Sequence, residues 1–420
     1  MMHIGNIISW LLIGIAVLLS VPAASHTGLT TWVSLAAASA AFVAMAQNLI
    51  LATRLKFLES TFGGLDQVYA HHRLLGITAL LLVLTHYFLE PNFKGIVLTS
   101  GLNIAARQIG EIAFFALIFL LAISLIKRLP FTNLELPYNI WRQSHRLMGV
   151  IFCLLAFHQM FIKRPFDGTA LLAQYLLVFA ILGIAAFVYT QASPFLRKRP
   201  YRIKNLERTK DALLITASAI GKPIRHRPGQ FAFIGFNRSG LREPHPFTIA
   251  GSRDNEELRF AIKSSGDFTS SAYQKLEIGD ELKVEGGYGR FCFNPKQERQ
   301  IWLAGGIGIT PFLAMSDSIS THNNVEIALI HTVTDRAQAL DTDRLSAFSD
   351  QYSNFHFLLH ETKESGRLDF AKLAAMAPFD LNGSALSFCG PVKLRKTIER
   401  GMAKQGKRFS RVNFEKFEFR

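Results

Sequence analysis

Leu171-Leu-Ala-Gln-Tyr-Leu-Leu-Val-Phe-Ala-Ile-Leu-Gly-Ile-Ala-Ala-Phe-Val-Tyr189 carries no charge, and a few residues later the chain reads Arg197-Lys198-Arg199. An uncharged run of this length matches the thickness of a hydrocarbon core, and a basic cluster just beyond it marks the cytoplasmic headgroup layer. After the cluster the texture changes to short alternating segments bounded by Gly, Pro and Asp, the pattern of strands rather than of membrane helices. The junction therefore separates a membrane half from an aqueous half. Charge follows the same line: residues 1–195 hold 11 Lys or Arg and 6 Asp or Glu, against 46 and 31 in the whole 420-residue chain. A bilayer interior tolerates few charges, so the apolar excess behind a 49% hydrophobic content belongs to this first half.

Upstream of the junction lie five more apolar stretches: Ile7–Val21, Trp32–Leu51, Leu74–Leu89, Ile109–Ile126 and Leu147–Ile162. Together they predict an all-α six-helix transmembrane bundle. Pro22-Ala23-Ala24-Ser25 has the small residues of a signal cleavage site, but no Lys or Arg precedes the first stretch, which favours a retained helix. With the N-terminus inside, the inner connections carry Arg54, Lys56, Arg73, Lys127, Arg128, Arg142, Arg146 and the Arg197 cluster, while the outer ones carry Lys94, Arg107, Lys163 and Arg164. The positive-inside bias then puts both termini and the aqueous half in the cytoplasm. The net charge of +15 is spread along segment ends rather than on one stripe, which points to lipid headgroups and not to nucleic acid. Three cysteines (Cys153, Cys292, Cys389), none in a C-x-x-C pair, give no disulfide framework and no iron–sulfur or zinc site.

Two near-copies stand at the inner entrances of membrane helices: His72-Arg73-Leu74-Leu75-Gly76 and His145-Arg146-Leu147-Met148-Gly149. A second histidine lies deeper in each helix, His86 and His158. Ionisable groups in a bilayer need partners, and two facing imidazoles are best used as axial ligands of a haem iron. The 14-residue step from His72 to His86 rises ~21 Å, which suits two stacked haems, with His72 facing His145 and His86 facing His158. Arg73 and Arg146 would meet haem propionates, and Gly76 and Gly149 would leave room for the macrocycle. The 13-residue step from His145 to His158 misses the same face by about 140°, so that helix must bend or serve differently rotated haems. His71 competes with His72, with a poorer face match.

In the aqueous half, Arg227-Pro-Gly-Gln-Phe231 leads into one strand and Glu243-Pro244-His245-Pro246-Phe247-Thr248 opens another. Lys263-Ser264-Ser265-Gly266-Asp267-Phe268-Thr269 and Glu285-Gly286-Gly287-Tyr288-Gly289 follow. An aromatic (Phe247), a hydroxyl (Thr248) and an amide-rich turn with a cation (Lys263, Gly266, Thr269) are what a flavin dinucleotide asks for. Strand Ile301–Ala304 then runs into Gly305-Gly306-Ile307-Gly308-Ile309-Thr310-Pro311, a strand-to-helix turn of the kind that presents bare backbone to phosphate. Cys389-Gly390-Pro391 is a second such turn, where a nicotinamide would face the flavin.

These motifs resemble a known family, the transmembrane NADPH oxidases and ferric reductases, most of all its compact bacterial members. The resemblance rests on the quartet His72, His86, His145, His158, on His245-Pro246-Phe247-Thr248, and on Leu303–Pro311. It implies three domains: a bis-haem membrane domain over 1–195, a six-stranded antiparallel β-barrel binding FAD over 196–297, and an α/β Rossmann-like NADP domain over 298–420. It implies two haem b, FAD and NADPH, with NADH as the alternative donor. Thr248 would sit by the reducible flavin nitrogen and Cys389 by the nicotinamide, Arg336 would take the 2′-phosphate, and Phe419 would shield the flavin. Electrons would pass from NADPH to oxygen on the outer face of a bacterial inner membrane, giving superoxide or peroxide. A ferric or cupric metalloreductase has the same wiring, and a haem-bearing anchor subunit is the reading from another class.

Overall fold

The computed structural model describes residues 3–89, 91, 101–125, 138–253, 256–319 and 324–414. Lys94, Lys127, Arg128 and Phe419 lie outside the described residues. The chain divides into two compact units, Met1–Leu196 and Arg197–Arg420.

The first unit is helical: α1 (Ile4–Ala24), α2 (Leu29–Ala52), α3 (Lys56–Phe62), α4 (Leu65–Phe88), α5 (Asn103–Leu125), α6 (Tyr138–Arg146), α7 (Met148–Phe161) and α8 (Leu171–Arg197). Five of these, α1, α2, α4, α5 and α8, are long and apolar enough to cross a membrane. The fifth of the six predicted spans is instead built in two pieces. Helix α7 has 14 residues, about 21 Å against a hydrocarbon core of ~30 Å, and α6 continues it across a break at Leu147. That break falls between His145 and His158, where the 13-residue spacing called for a bend or for differently rotated haems.

Helix α2 packs against both α1 and α4. Its composition explains why: Ala36, Ala37, Ala40, Ala41, Ala44 and Ala46 are all buried, and small residues let apolar helices approach closely when no hydrophobic force separates helix from lipid. Ser9 and Gln47 hydrogen-bond across the α1–α2 contact. Between α7 and α8 the packing is reciprocal. A Cβ at Gly183 would stand 2.6 Å from Phe152 Cζ, and one at Gly149 would stand 2.6 Å from Phe187 Cγ, so each helix offers a glycine to the other's phenylalanine. Leu81, Phe115, Phe119, Ile181 and Val188 are exposed, which fits lipid and not water.

The second unit begins with a closed antiparallel barrel in the order β1-β2-β5-β4-β3-β6, formed by β1 (Arg199–Arg208), β2 (Ala212–Ala219), β3 (Phe231–Phe236), β4 (His245–Arg253), β5 (Glu257–Lys263) and β6 (Glu281–Tyr288). Side chains alternate as a pleated strand demands. Tyr201 and Ile203 point into a core shared with Leu213, Ile215, Phe236, Phe260, Leu282 and Val284, while Arg202 and Lys204 point out. Helix α9 (Asp267–Lys275) lies between β5 and β6.

A five-stranded parallel sheet follows, ordered β11-β10-β7-β8-β9, from β7 (Arg299–Gly305), β8 (Glu326–Val333), β9 (Phe355–Glu361), β10 (Ala385–Cys389) and β11 (Arg411–Phe414). Helices cover both faces. Trp302, Ile327 and Leu329 pack on α10 (Thr310–Ser316) and α11 (Thr342–Gln351), and Ile301, Leu303, Leu386 and Phe388 pack on two later helices, which with the short α12 (Thr362–Ser365) are numbered α13 (Phe370–Met376) and α14 (Val392–Lys404). A strand covered on both sides reads as the unbroken apolar run Ile301–Ala304. The fold is thus a helical apolar region, a six-stranded barrel and a doubly covered parallel sheet, in the expected order.

Candidate functional site

The four histidines are held alike. Nδ1 of His72 lies 3.2 Å from the Asn48 carbonyl of α2, that of His86 3.1 Å from the Ser34 carbonyl of α2, and that of His158 2.8 Å from the Ala106 carbonyl of α5. A carbonyl only accepts, so Nδ1 carries the proton in all three. His145 Nδ1 lies 3.0 Å from Ser124 Oγ, whose own hydroxyl donates to the Leu120 carbonyl at 2.7 Å, so here too the imidazole donates. Every Nε2 is thereby left as a lone pair, the tautomer a metal needs. The His72 and His145 rings meet edge-on, with centroids 6.1 Å apart and planes inclined at 62°. His71 is buried against Trp10 and Phe62 and is not part of that pair. Arg73 and Arg146 are exposed beside the inner pair. Among the described residues no group of three or more His, Cys, Asp or Glu could hold a metal ion.

The glycines act differently from expectation. The space at Gly76 goes to Asn48, whose amide, turned to satisfy both groups, donates to the His72 carbonyl at 3.0 Å and accepts from the Gly76 N–H at 3.1 Å. The space at Gly149 goes to Phe187. The glycine that serves a histidine is Gly110 on α5, where a Cβ would stand 2.6 Å from Cε1 and 2.9 Å from Cγ of His158. Gly110, Ser34, Ser124 and Asn48 were missed in the sequence; a small or polar residue inside an apolar helix was the signal each offered.

In the barrel the two flavin motifs meet. His245 stacks on Phe268 with centroids 3.8 Å apart, which joins the His245–Thr248 strand to the turn that opens α9. Phe247 lies beside the same ring at 6.4 Å, Pro246 pairs with Phe233, and Thr248 is buried against Phe231 on β3. Thr269 Oγ1 accepts from the Ser265 and Gly266 N–H groups at 3.0 Å each, which shapes the turn, and nothing lies within 4 Å of a Cβ position at Gly266. Lys263 does not stand uncommitted near this turn: its ammonium pairs with Asp211 at 3.2 Å, and Gln338 binds the same carboxylate at 3.2 Å.

In the parallel sheet the two strand-to-helix turns abut. A Cβ at Gly305 would stand 2.7 Å from Pro391 Cδ, one at Gly308 2.7 Å from the Cys389 carbonyl carbon, and one at Gly390 2.9 Å from the Gly305 nitrogen. Only bare backbone allows that approach. Gly306 has φ +56° with open space at its Cβ position, and a single 3-10 turn, Gly306–Ile309, leads from it into Thr310 and Pro311 at the start of α10. His331 on β8, which the sequence reading passed over as a strand residue, is fully buried and its Nε2 donates to the Gly306 carbonyl at 2.9 Å. Burial pushes its pKa down to about 4, so it stays neutral. Arg336 is exposed just beyond the end of β8 and its backbone N–H donates to Glu361 at 2.9 Å, while the neighbouring Asp335 pairs with Lys363 at 3.8 Å.

Comparison with known proteins agrees with this architecture. Residues 37–156 match the ferric reductase like transmembrane component, residues 197–294 an FAD-binding domain and residues 302–400 an oxidoreductase NAD-binding domain. These matches define the class: an oxidoreductase-type module with FAD- and NAD-binding domains, carried by a multi-pass membrane domain. More particularly, the chain is a ferric-reductase-like membrane domain fused to a ferredoxin-reductase-like module. Similar curated proteins include the toluate 1,2-dioxygenase electron transfer component of Pseudomonas putida, 24% identical over 222 residues, covering 51% of this chain and 65% of that protein. Ferric reduction oxidase 8, mitochondrial, of Arabidopsis thaliana is 30% identical over 115 residues, 24% of this chain and 16% of that one. The chain thus spans less than two thirds of the length of the curated relatives it matches. The flavohemoglobin from Malassezia yamatoensis, a structure with bound FAD and heme, is alike in fold only: TM-score 0.50 and 16% identity over 93% of this chain and 98% of that one.

Proposed function

We propose that this protein moves electrons from NADPH through FAD to two b-type haems held by His72 with His145 and by His86 with His158, and on to oxygen across the membrane, giving superoxide or hydrogen peroxide. The observation that carries the reading is the shared Nδ1 tether, which leaves four Nε2 lone pairs on α4, α6 and α7. The groups present fit the group proposed. With a metal–nitrogen bond of about 2 Å on each side, two imidazoles sharing one iron have centroids roughly 6 Å apart, and the His72–His145 rings are at 6.1 Å. When bound, FAD supplies the change from two-electron to one-electron transfer, and the haems supply the path through the hydrocarbon.

The chain's own residues do the rest. Asn48, Ser34, Ser124 and Ala106 orient the imidazoles and raise their basicity by accepting from Nδ1. Arg73 and Arg146 supply cations for propionates. Thr248 offers a hydroxyl and Phe247 an aromatic edge to the flavin ring, Gly266 and Thr269 shape the pyrophosphate turn, and Gly305–Pro311 with Cys389–Pro391 form the nicotinamide cleft. His331 holds the carbonyl of Gly306 so that this turn keeps its shape. Arg336 takes the 2′-phosphate of NADPH; NADH is the alternative donor. In this reading the barrel spans 196–297 and the nicotinamide lobe 298–420, both cytoplasmic, on a bacterial inner membrane.

A second reading, reduction of ferric or cupric complexes with the same wiring, is favoured by the match of residues 37–156 to the ferric reductase like component. Purified protein given NADPH decides between them. Superoxide-dismutase-sensitive reduction of cytochrome c supports the oxidase, whereas dismutase-insensitive reduction of a ferric chelate supports the metalloreductase.

A further inference from the structure

One strand of the barrel turns its outward side chains toward the parallel-sheet lobe of the same unit. Leu258, Phe260 and Ile262 of β5 fill the barrel core, so Arg259, Ala261 and Lys263 point outward. Ala261 joins the apolar cluster that holds Leu313, Leu329 and Leu340 of the lobe. On one side of it Arg259 pairs with Asp341 at 3.2 Å, and on the other Lys263 holds the Asp211 carboxylate, which also accepts from Gln338 at 3.2 Å. The stretch from Gln338 to Asp341 is therefore laid along β5, apolar at Leu340 and polar at both ends.

Asp341 is committed to this contact at the expense of its own helix. It is the N-cap of α11, where an aspartate side chain ordinarily accepts from the first N–H groups, yet it makes no such bond. Its backbone lies in the left-handed region at φ +50°. Its carboxylate meets two guanidiniums instead, Arg259 of β5 and, at 3.4 Å, Arg344 of α11. Arg344 carries the link onward: it donates to the Leu313 carbonyl of α10 at 3.2 Å and pairs with Asp317 at 2.6 Å. Helix α10 follows the Gly305–Ile309 turn, and β5 pairs with β4, which carries Phe247 and Thr248. One carboxylate thus joins the flavin-motif side of the barrel to the helix behind the Gly-rich turn.

We infer that Asp341 is a positioning residue for hydride transfer, its carboxylate fixing the register of the nicotinamide lobe on the barrel. The inference rests on the reading that NADPH reduces FAD in this unit: one hydride, two electrons with a proton, leaves NADPH as NADP+ forms and takes FAD to FADH−. The apolar cluster around Ala261 supplies adhesion without direction, whereas a carboxylate held between two planar guanidiniums admits one register. Reacting atoms must come within about 3.5 Å, and a shift near 1 Å costs on the order of 100-fold in rate. In this reading NADPH is held by the lobe's own turns, so its binding should be spared.

The test mixes the full chain, loaded with its cofactors, anaerobically with NADPH and reads the limiting rate, the amplitude and the half-saturating concentration of a single turnover of NADPH oxidation. Asp341→Asn removes the charge but keeps a residue that tolerates the left-handed backbone. Its limiting rate should fall at least about fivefold, with half-saturation within about twofold of wild type and FAD content unchanged. Arg259→Gln should fall as far, and the double variant no further than either single one, because both remove the same contact. An unchanged limiting rate in Asp341→Asn overturns the inference. So does a loss of amplitude at the wild-type rate, since the folded fraction would then transfer hydride normally. If Asp341→Asn does not fold, Arg259→Gln, on the outer face of the strand, decides by the same criteria. A wild type that takes no hydride from NADPH would refute the underlying reading itself.

Discussion

Gly110→Ala adds one methyl group to α5 and tests the histidine frame without touching a histidine. The new Cβ would stand 2.6 Å from Cε1 of His158, where ordinary contact begins at 3.4 Å. Relief requires the ring to withdraw by about 1 Å, which stretches its 2.8 Å bond to the Ala106 carbonyl beyond the ~3.6 Å at which a hydrogen bond is lost. Loss of such an orienting contact lowers metal affinity by roughly 10- to 100-fold, so the outer haem should be depleted and the inner one retained. Gly14→Ala is the control. Its Cβ meets nothing within 4 Å, and Ala in place of Gly in an open helix stabilises by about 0.5–1 kcal/mol. The assay is haem content by pyridine haemochrome with the low-spin spectrum of the purified protein: about one haem per chain for Gly110→Ala and two for Gly14→Ala. Two haems with an unchanged bis-imidazole spectrum in Gly110→Ala would refute the reasoning.

His331→Phe keeps the ring's bulk but removes the donor to Gly306, so KM for NADPH should rise several-fold with little change in flavin content; an unchanged KM would exclude a positioning role. The same variant carries a pH signature. Because the folded pKa of His331 is lowered to about 4, its neutral form stabilises the fold above about pH 6.5, and that stability is lost as pH falls from 6.5 toward 4. With 1.36 kcal/mol per pK unit, the loss is up to about 3 kcal/mol, and His331→Phe should flatten the acid limb of the thermal midpoint for FAD release. Gly308→Ala places a methyl 2.7 Å from the Cys389 carbonyl carbon and should cut kcat/KM for NADPH more than tenfold, while ferricyanide reduction by pre-reduced flavin is spared. The unit Arg197–Arg420 expressed alone, with FAD supplied, should oxidise NADPH with an artificial acceptor; a folded, FAD-bound but inactive unit would count against the flavin assignment. Phe419→Ser should prolong nicotinamide–flavin charge-transfer absorbance and shift the NADPH/NADH preference, whereas a lowered melting temperature alone would make Phe419 a packing residue.

The order of the three folds was legible in the sequence because each has a local signature. An uncharged run such as Leu171–Tyr189 can be satisfied in a bilayer only as a helix, the alternation of Tyr201, Arg202, Ile203 and Lys204 suits a strand with one wet face, and Ile301–Ala304 suits a strand covered on both. The His-Arg-Leu repeat and its deeper partners were equally visible, since charge-bearing residues in a membrane segment stand out against apolar neighbours. Counting helical turns between His145 and His158 left two alternatives, a bent helix or differently rotated haems, and the position of the break near Leu147 came only with the structure.

What the sequence could not supply is which groups meet. Whether Gly149 makes room for a cofactor or for Phe187, and whether Lys263 serves a pyrophosphate turn or Asp211, depends on residues tens of positions away that are brought in by helix packing and strand register. The protonation of the four imidazoles is decided the same way. Each Nδ1 partner, Asn48, Ser34, Ser124 or Ala106, belongs to a different helix from its histidine, so the lone pair on Nε2 exists only after α2 has packed on α4 and α5 on α6 and α7. Local sequence therefore determined the elements and their chemical endowment, because periodicity and charge act over a few residues. The tertiary structure decided the use of that endowment, because contacts between distant residues arise only from packing.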